Sequence, residues 1–107
     1  MQKPKWPTRK RRQAMIDAVE AWAQDNDTTV MLIGTDDDNV DYAPAIIGVT
    51  HEPRMAVVYS MSKLIACFMH VNKWSHETAT EWVDFNVVRS LPYYGNNGPI
   101  LVEDLDV

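Results

Sequence analysis

Three histidines, one cysteine and fifteen acidic side chains are the groups in this chain that could hold a metal or move a proton. Zinc requires three or four ligands at short, fixed spacings, usually anchored by an i, i+3 or i+4 pair. His51, His70 and His76 are scattered instead, the last two on different predicted helices, so they read as solvated or locally hydrogen-bonded side chains. Asp36, Asp37, Asp38 and Asp41 supply half the acids of a calcium loop without its central glycine or terminal bidentate glutamate, which leaves a solvated turn. Cys67 has no partner for an internal disulfide, and its helix-like surroundings read as those of a buried, inert thiol in a reducing compartment. No serine, histidine and acid constellation can be assembled, no phosphate loop is present, and four glycines are too few for a nucleotide fingerprint. No catalytic residue, metal or cofactor is assigned, and the balance leans away from an enzyme.

Three further groups invite a binding role. Glu81 and Asp84 are neighbours at i, i+3 on a predicted helix, as acid-base work would need. With Trp82, Val83 and Asn86 taken as the inward face, however, those two carboxylates turn to the flank or to solvent. Asn86 is then a buried amide that must find partners, and a bond to the following Pro-Tyr-Tyr-Gly loop is expected ahead of a ligand contact. The loop itself holds Tyr93, Tyr94, Asn96 and Asn97 together with two glycines. That mixture of rigid aromatic area and adaptable amides suits recognition, and equally a turn whose tyrosines pack on a sheet. The clearest charged feature is the N-terminal arm. Lys3, Lys5, Arg9, Lys10, Arg11 and Arg12 surround Trp6, and the first twelve residues contain no acid. The remaining ninety-five carry four basic and all fifteen acidic side chains, a balance of −11, so a net charge of −5 conceals an acidic body with a cationic arm. Such an arm could follow a phosphate backbone while the indole stacks on a base. Cations at a helix N-terminus oppose its dipole, which hints that Arg9 to Arg12 answer to a partner. The acidic body repels a duplex, so a protein partner, or self-association of arm with body, is favoured over nucleic acid.

The elements that must position these groups follow from periodicity. Residues 1 to 7, with two prolines, form an extended basic arm, and 8 to 107 form a single domain of the size one core can fill. Thr8 caps a helix to about Asp25, with Met15, Val19 and Trp22 in a stripe widened by Ile16 and Ala23. Val30 to Gly34 is short, apolar and β-branched enough to read as a strand, and Thr35 to Asp41 as a solvated loop. Ala45 to Thr50 and Met55 to Tyr59 flank the tight His51-Glu52-Pro53-Arg54 connection and make an antiparallel hairpin. Ser60 or Ser62 caps a helix to about Asn72, burying Leu64, Ile65, Phe68 and Met69. Ser75 caps another from His76 to about Ser90, with Ala79, Trp82, Val83 and Asn86 inward. Pro99 to Val102 forms a last strand. The expected fold is α+β in the order α-β-β-β-α-α-β, a small antiparallel or mixed sheet with helices packed on one face. Apolar runs of five or six residues fall far short of the ~20 that span a bilayer, and the charged start does not resemble a secretory leader. A cytoplasmic protein with no membrane partner is expected.

The run Tyr59-Ser60-Met61-Ser62-Lys63-Leu64, then Ser75 and Glu81-Trp82-Val83-Asp84-Phe85-Asn86, then Leu91-Pro92-Tyr93-Tyr94-Gly95 and Pro99-Ile100, resembles a group of small uncharacterised proteins common in bacteriophage genomes. The resemblance covers about residues 45 to 102 and leaves the arm and first helix outside. It implies a phage or prophage origin and a host-cytoplasm setting, and it carries no chemistry. The combined expectation is a non-enzymatic accessory protein that binds a host or phage macromolecule, in host takeover or defence inhibition. Two alternatives stand beside it. One is a small-molecule or nucleotide binder using the tyrosine loop, possible at an oligomer interface; the other is a nucleic-acid binder acting through the arm.

Overall fold

The computed structural model describes residues 6–105. Lys3 and Lys5 of the expected arm, and Asp106 of the acidic tail, lie outside the described residues. Helix α1 spans Arg9–Asp25, and the Thr8 hydroxyl accepts the Arg11 N–H at its start, as a capping threonine should. It buries Ile16, Val19 and Ala23, leaving Met15 and Trp22 half-buried at the edge of that stripe. Strands β1 (Ile46–Val49) and β2 (Val57–Ser60) form the expected antiparallel hairpin, with Ile46 opposite Tyr59 and Val49 opposite Val57 around a bulge after Ile46. Helix α2 (Met61–Asn72) follows without a break, Ser60 accepting the Lys63 N–H. Strand β3 (Ile100–Val102) returns parallel to β2, pairing Val58 with Ile100 and Ser60 with Val102. The result is an α+β fold with a three-stranded mixed sheet in the order β1-β2-β3 and helices packed beside it.

Val30 to Gly34 is not a strand. It joins neither outer edge of the three-stranded sheet, which ends at β1 and β3. It is held by isolated bonds: the Met31 N–H to the Asn97 carbonyl at 3.2 Å and the Ile33 N–H to the Tyr59 hydroxyl at 3.0 Å. Gly34 then turns the chain at φ +99°, where a Cβ would meet the Asp38 carboxylate. Only the first part of the expected loop is loop, with Asp38 accepting from the Thr35 N–H and hydroxyl. A 3-10 helix, Asn39–Ala45, takes over, and its three-residue repeat stacks Val40 and Ala43 on one buried side. Both α1 and α2 pack on this segment. The core gathers around Tyr59, Leu64, Val57 and Val83, all fully buried, and α2 contributes Leu64, Ile65, Cys67 and Phe68, with Met69 only half-buried.

Ser75 caps helix α3 (His76–Trp82) through the Thr78 N–H, as the sequence implies. The chain then stays helical but changes pitch, with a widened π turn over Val83–Val87 and a 3-10 stretch over Val88–Tyr94. This change rephases the inward face. Ala79, Val83 and Val87 are buried, each four residues apart, while Trp82 and Asn86 turn outward. The expected placement of Trp82 and Asn86 in the core is therefore corrected.

Candidate functional site

The rephased helix leaves large aromatic side chains in solvent. Trp82 keeps 44% of its surface exposed and Phe85 keeps 60%, with Val88 and Val71 also exposed. These rings are not isolated. Tyr42 stacks on Phe68 with centroids 4.7 Å apart, Phe68 lies parallel to Trp74 at 6.5 Å, and Trp74 meets Trp82 at 5.3 Å and 52°. A row of aromatics thus runs from the core out to the surface. Trp74, Trp82 and Phe85 line one cleft of about 310 Å³, with Thr78, Glu81 and Asn86 completing it. Residues 78, 81, 82, 85 and 86 share one side of this helical segment, the last two within the widened turn. The Asn86 amide nitrogen donates to the Trp82 carbonyl at 3.1 Å, one turn back on its own helix. It makes no bond to the tyrosine loop of the kind expected, because it is exposed and satisfied locally. Glu81 and Asp84 are exposed, as their flank position implied, and Glu81 borders the cleft.

The arm residues are placed differently. Trp6 lies face to face with His70, ring centroids 4.2 Å apart, and packs against the core cluster. Its indole N–H is buried with no hydrogen-bond partner among the described residues. Arg12 is half-buried, donating to the Pro7 carbonyl at 3.1 Å, while its Nε is buried and has no partner among them either. Arg9, Lys10 and Arg11 remain exposed on the first turn of α1. The structure thus separates Trp6 and Arg12, which are folded in, from the three cations that face solvent.

The tyrosine loop is a tied turn. The Arg54 guanidinium donates to the Asn96 carbonyl at 3.1 Å and to the Gly98 carbonyl at 3.4 Å, and Asn97 accepts from Met31. Gly98 is required there, since a Cβ would stand 2.4 Å from the Tyr94 Cβ. Asn96 and Asn97 are exposed, Tyr93 is 90% exposed, and Tyr94 is half-buried. Tyr94 borders a second, larger cleft of about 510 Å³ between α1 and residues 28–39. That cleft is lined by Glu20 and Asp36 and by no cationic side chain, so it offers nothing to a phosphate.

One polar cluster escaped sequence reasoning. The Ser60 hydroxyl, fully buried, donates to the Asp104 carboxylate at 2.8 Å, and Ser62 donates to the same oxygen. These two hydroxyls hold the Asp104 carboxyl below its ordinary range, with Lys63 adding a smaller attraction. The acid follows β3 and meets the start of α2, so it fastens the end of the chain over a helix N-terminus. Nothing in the local sequence links positions 60 and 104, because the pairing depends on the parallel return of β3.

Burial pushes the Cys67 thiol up to about 12, which keeps it protonated and un-nucleophilic near neutral pH. Burial also raises Tyr59 far above its ordinary value, against a smaller opposing effect of the Ile33 N–H, and raises Tyr42 with help from Asp38 and Asp41. His51 is exposed in the hairpin turn, His70 lies under Trp6, and His76 is exposed at the start of α3. Among the described residues no group of three histidine, cysteine or acidic side chains could hold a metal ion. Among them, too, no helix is long and apolar enough to cross a membrane. No family model matches the chain, and no curated protein or solved structure matches it either.

Proposed function

We propose that this chain is a non-enzymatic accessory protein of the bacteriophage type that acts in the host cytoplasm by binding another protein through the aromatic face of α3. The phage setting, and with it host takeover or defence inhibition, rests on the resemblance over about residues 45 to 102. The binding reading rests on the exposure of Trp82 and Phe85 beside Trp74 on one helix face. Large aromatics left contiguous in solvent are the side chains that anchor interfaces, and their exposure has no folding benefit. The buried thiol and phenols, all held in their neutral forms, support a role without covalent chemistry. The arm contributes Arg9, Lys10 and Arg11 as an exposed cationic supplement, which favours a protein with acidic surface nearby.

The test is capture from nuclease-treated host lysate with the parent and with a Trp82→Ser, Phe85→Ser double variant. The parent is expected to retain a stoichiometric protein that the double variant loses, at closely similar melting midpoints. Identical capture by both would sink the aromatic-face reading. Capture abolished by nuclease in the parent would transfer the function to the arm and nucleic acid. The 510 Å³ cleft favours a second reading, a binder of small neutral or cationic molecules, which native mass spectrometry of the freshly purified protein would reveal.

A further inference from the structure

Resting on the aromatic-face reading, and deepening it, we infer that the Trp74–Trp82–Phe85 cleft takes an arginine side chain presented by a basic segment of the partner protein. Three features of the cleft point to a cation. Its lining includes three aromatic rings, Trp74 and Trp82 meeting at 52° with centroids 5.3 Å apart. Aromatic faces carry negative potential and attract a cation held within about 6 Å of the ring centre. Its rim carries one carboxylate, Glu81, and no basic side chain. A wholly apolar occupant would cover that carboxylate without pairing it, which is costly, whereas a cation would compensate it.

The choice of arginine over lysine follows from shape. A guanidinium is flat, lies against aromatic rings and still directs in-plane N–H groups to acceptors at its edge. The cleft supplies the rings for its face, with the Glu81 carboxylate at the rim for its edge. The Asn86 amide nitrogen is already committed to the Trp82 carbonyl, which leaves its oxygen as a second acceptor. The molecule shows the same contact once within itself. The Arg89 guanidinium carbon sits 4.3 Å from the centre of the Phe85 ring, and Arg89 is not among the residues lining the cleft. One side of the aromatic face therefore already carries a guanidinium. The cleft of about 310 Å³ is lined by six residues and has room for one long side chain. Charge supports the same source, because the chain beyond residue 12 carries a balance of −11 and draws basic segments towards it.

The test uses the full chain and three amidated peptides: tetra-arginine, tetra-lysine and the neutral isostere tetra-citrulline. The indole N–H resonances of the tryptophans are followed during titration. Tetra-arginine should shift Trp74 and Trp82 saturably and leave Trp22 in place. Tetra-lysine should bind several-fold more weakly, and tetra-citrulline at least tenfold more weakly. Glu81→Gln should weaken tetra-arginine at least fivefold, and Asp36→Asn with Asp37→Asn should not, which separates a site from diffuse attraction. Equal binding of the citrulline and arginine peptides overturns the proposal, as does a response confined to Trp22 or an equal loss in the Asp36 and Asp37 variant. A parent that sediments as a dimer and becomes monomeric with Glu81→Gln would overturn the partner as the source, a second copy's arginine being the occupant. The two readings fail separately. Lysate capture that depends on Trp82, with no arginine response, removes the cation site and leaves the docking face. An arginine response with unchanged capture by the double variant does the reverse.

Discussion

The indole of Trp6 is stacked at 4.2 Å on His70 and packed against the core, whereas that of Trp82 keeps 44% of its surface in water. The two residues head two regions with contrasting use of the same chemistry. Around Trp6 the chain commits its aromatic ring and one arginine to internal contacts, and among the described residues neither the Trp6 N–H nor the Arg12 Nε has a hydrogen-bond partner. Around Trp82 the rings contact chiefly one another and the cleft stays open. The contrast teaches that aromatic and charged density alone does not mark a binding surface; what matters is whether the fold has already used it. To stack on a nucleobase, Trp6 would first have to leave His70, while Trp82 keeps an open surface and Phe85 an open ring with Arg89 over one part of it.

Stability tests this contrast most sharply. Trp6→Ala should lower unfolding stability by about 2 kcal/mol, the scale for removing a large side chain from apolar contacts. Trp82→Ala should cost about 1 kcal/mol or less, chiefly the pair with Trp74. Urea midpoints for the two variants check the order. A larger loss at Trp82 than at Trp6 would mean that the two regions have been assigned the wrong way round.

That reversal is also where the sequence was hardest to read. Local signals were legible because they act within a few residues: Thr8, Ser60 and Ser75 cap their helices, and the short link between Ala45–Thr50 and Met55–Tyr59 dictates a hairpin. The face of α3 was misphased because a uniform helical period was carried through residues 83–87, where the helix widens. The four-residue spacing of Ala79, Val83 and Val87, with no amide among them, was the available signal. Val30 to Gly34 misled for a different reason. An apolar run reports burial, and whether it pairs as a strand depends on its tertiary contacts, here isolated bonds to the Asn97 carbonyl and the Tyr59 hydroxyl. The cleft needs Trp74 from beyond α2 beside Trp82 and Phe85, a juxtaposition that only helix packing creates. The Ser60–Asp104 contact spans forty-four residues and was out of reach of any local rule.

The tyrosine loop belongs with the anchored region if its polar ties hold it. Arg54→Met removes the two donations to the Asn96 and Gly98 carbonyls while keeping the aliphatic stem. Partly exposed bonds of this kind contribute about 1 kcal/mol. The expected outcome is a loss of that order, with faster hydrogen exchange at the Met31 N–H, which is bonded to the Asn97 carbonyl of the same turn. Unchanged exchange there would show that the loop holds itself, and Tyr93 and Tyr94 would then join Trp82 as unclaimed aromatic surface.

The smallest effect concerns the chain's other end, where Asp104 ties the segment after β3 to Ser60 and Ser62. Its carboxyl is held below the ordinary value of 3.8 in the folded protein, so protons bind more readily to the unfolded chain in the interval below that value. The stabilising contribution is therefore fully present above pH about 3.8 and is lost as the pH falls through the lowered folded-state value. Because the group is exposed, solvent screens it and the effect is modest. Comparing the parent with Asp104→Asn in urea at pH 7, 5 and 3, the parent should be slightly more stable at the two higher values, with the difference closing at the lowest. Exchange at the Lys63 N–H, which is bonded to the Ser60 hydroxyl, should quicken in the variant at neutral pH. A difference that stays constant across the series would mean that the contact depends on shape and not on charge. The hydrogen bonds from Ser60 and Ser62 would then hold the segment after β3 equally well with Asp104 protonated, and its charge would add nothing.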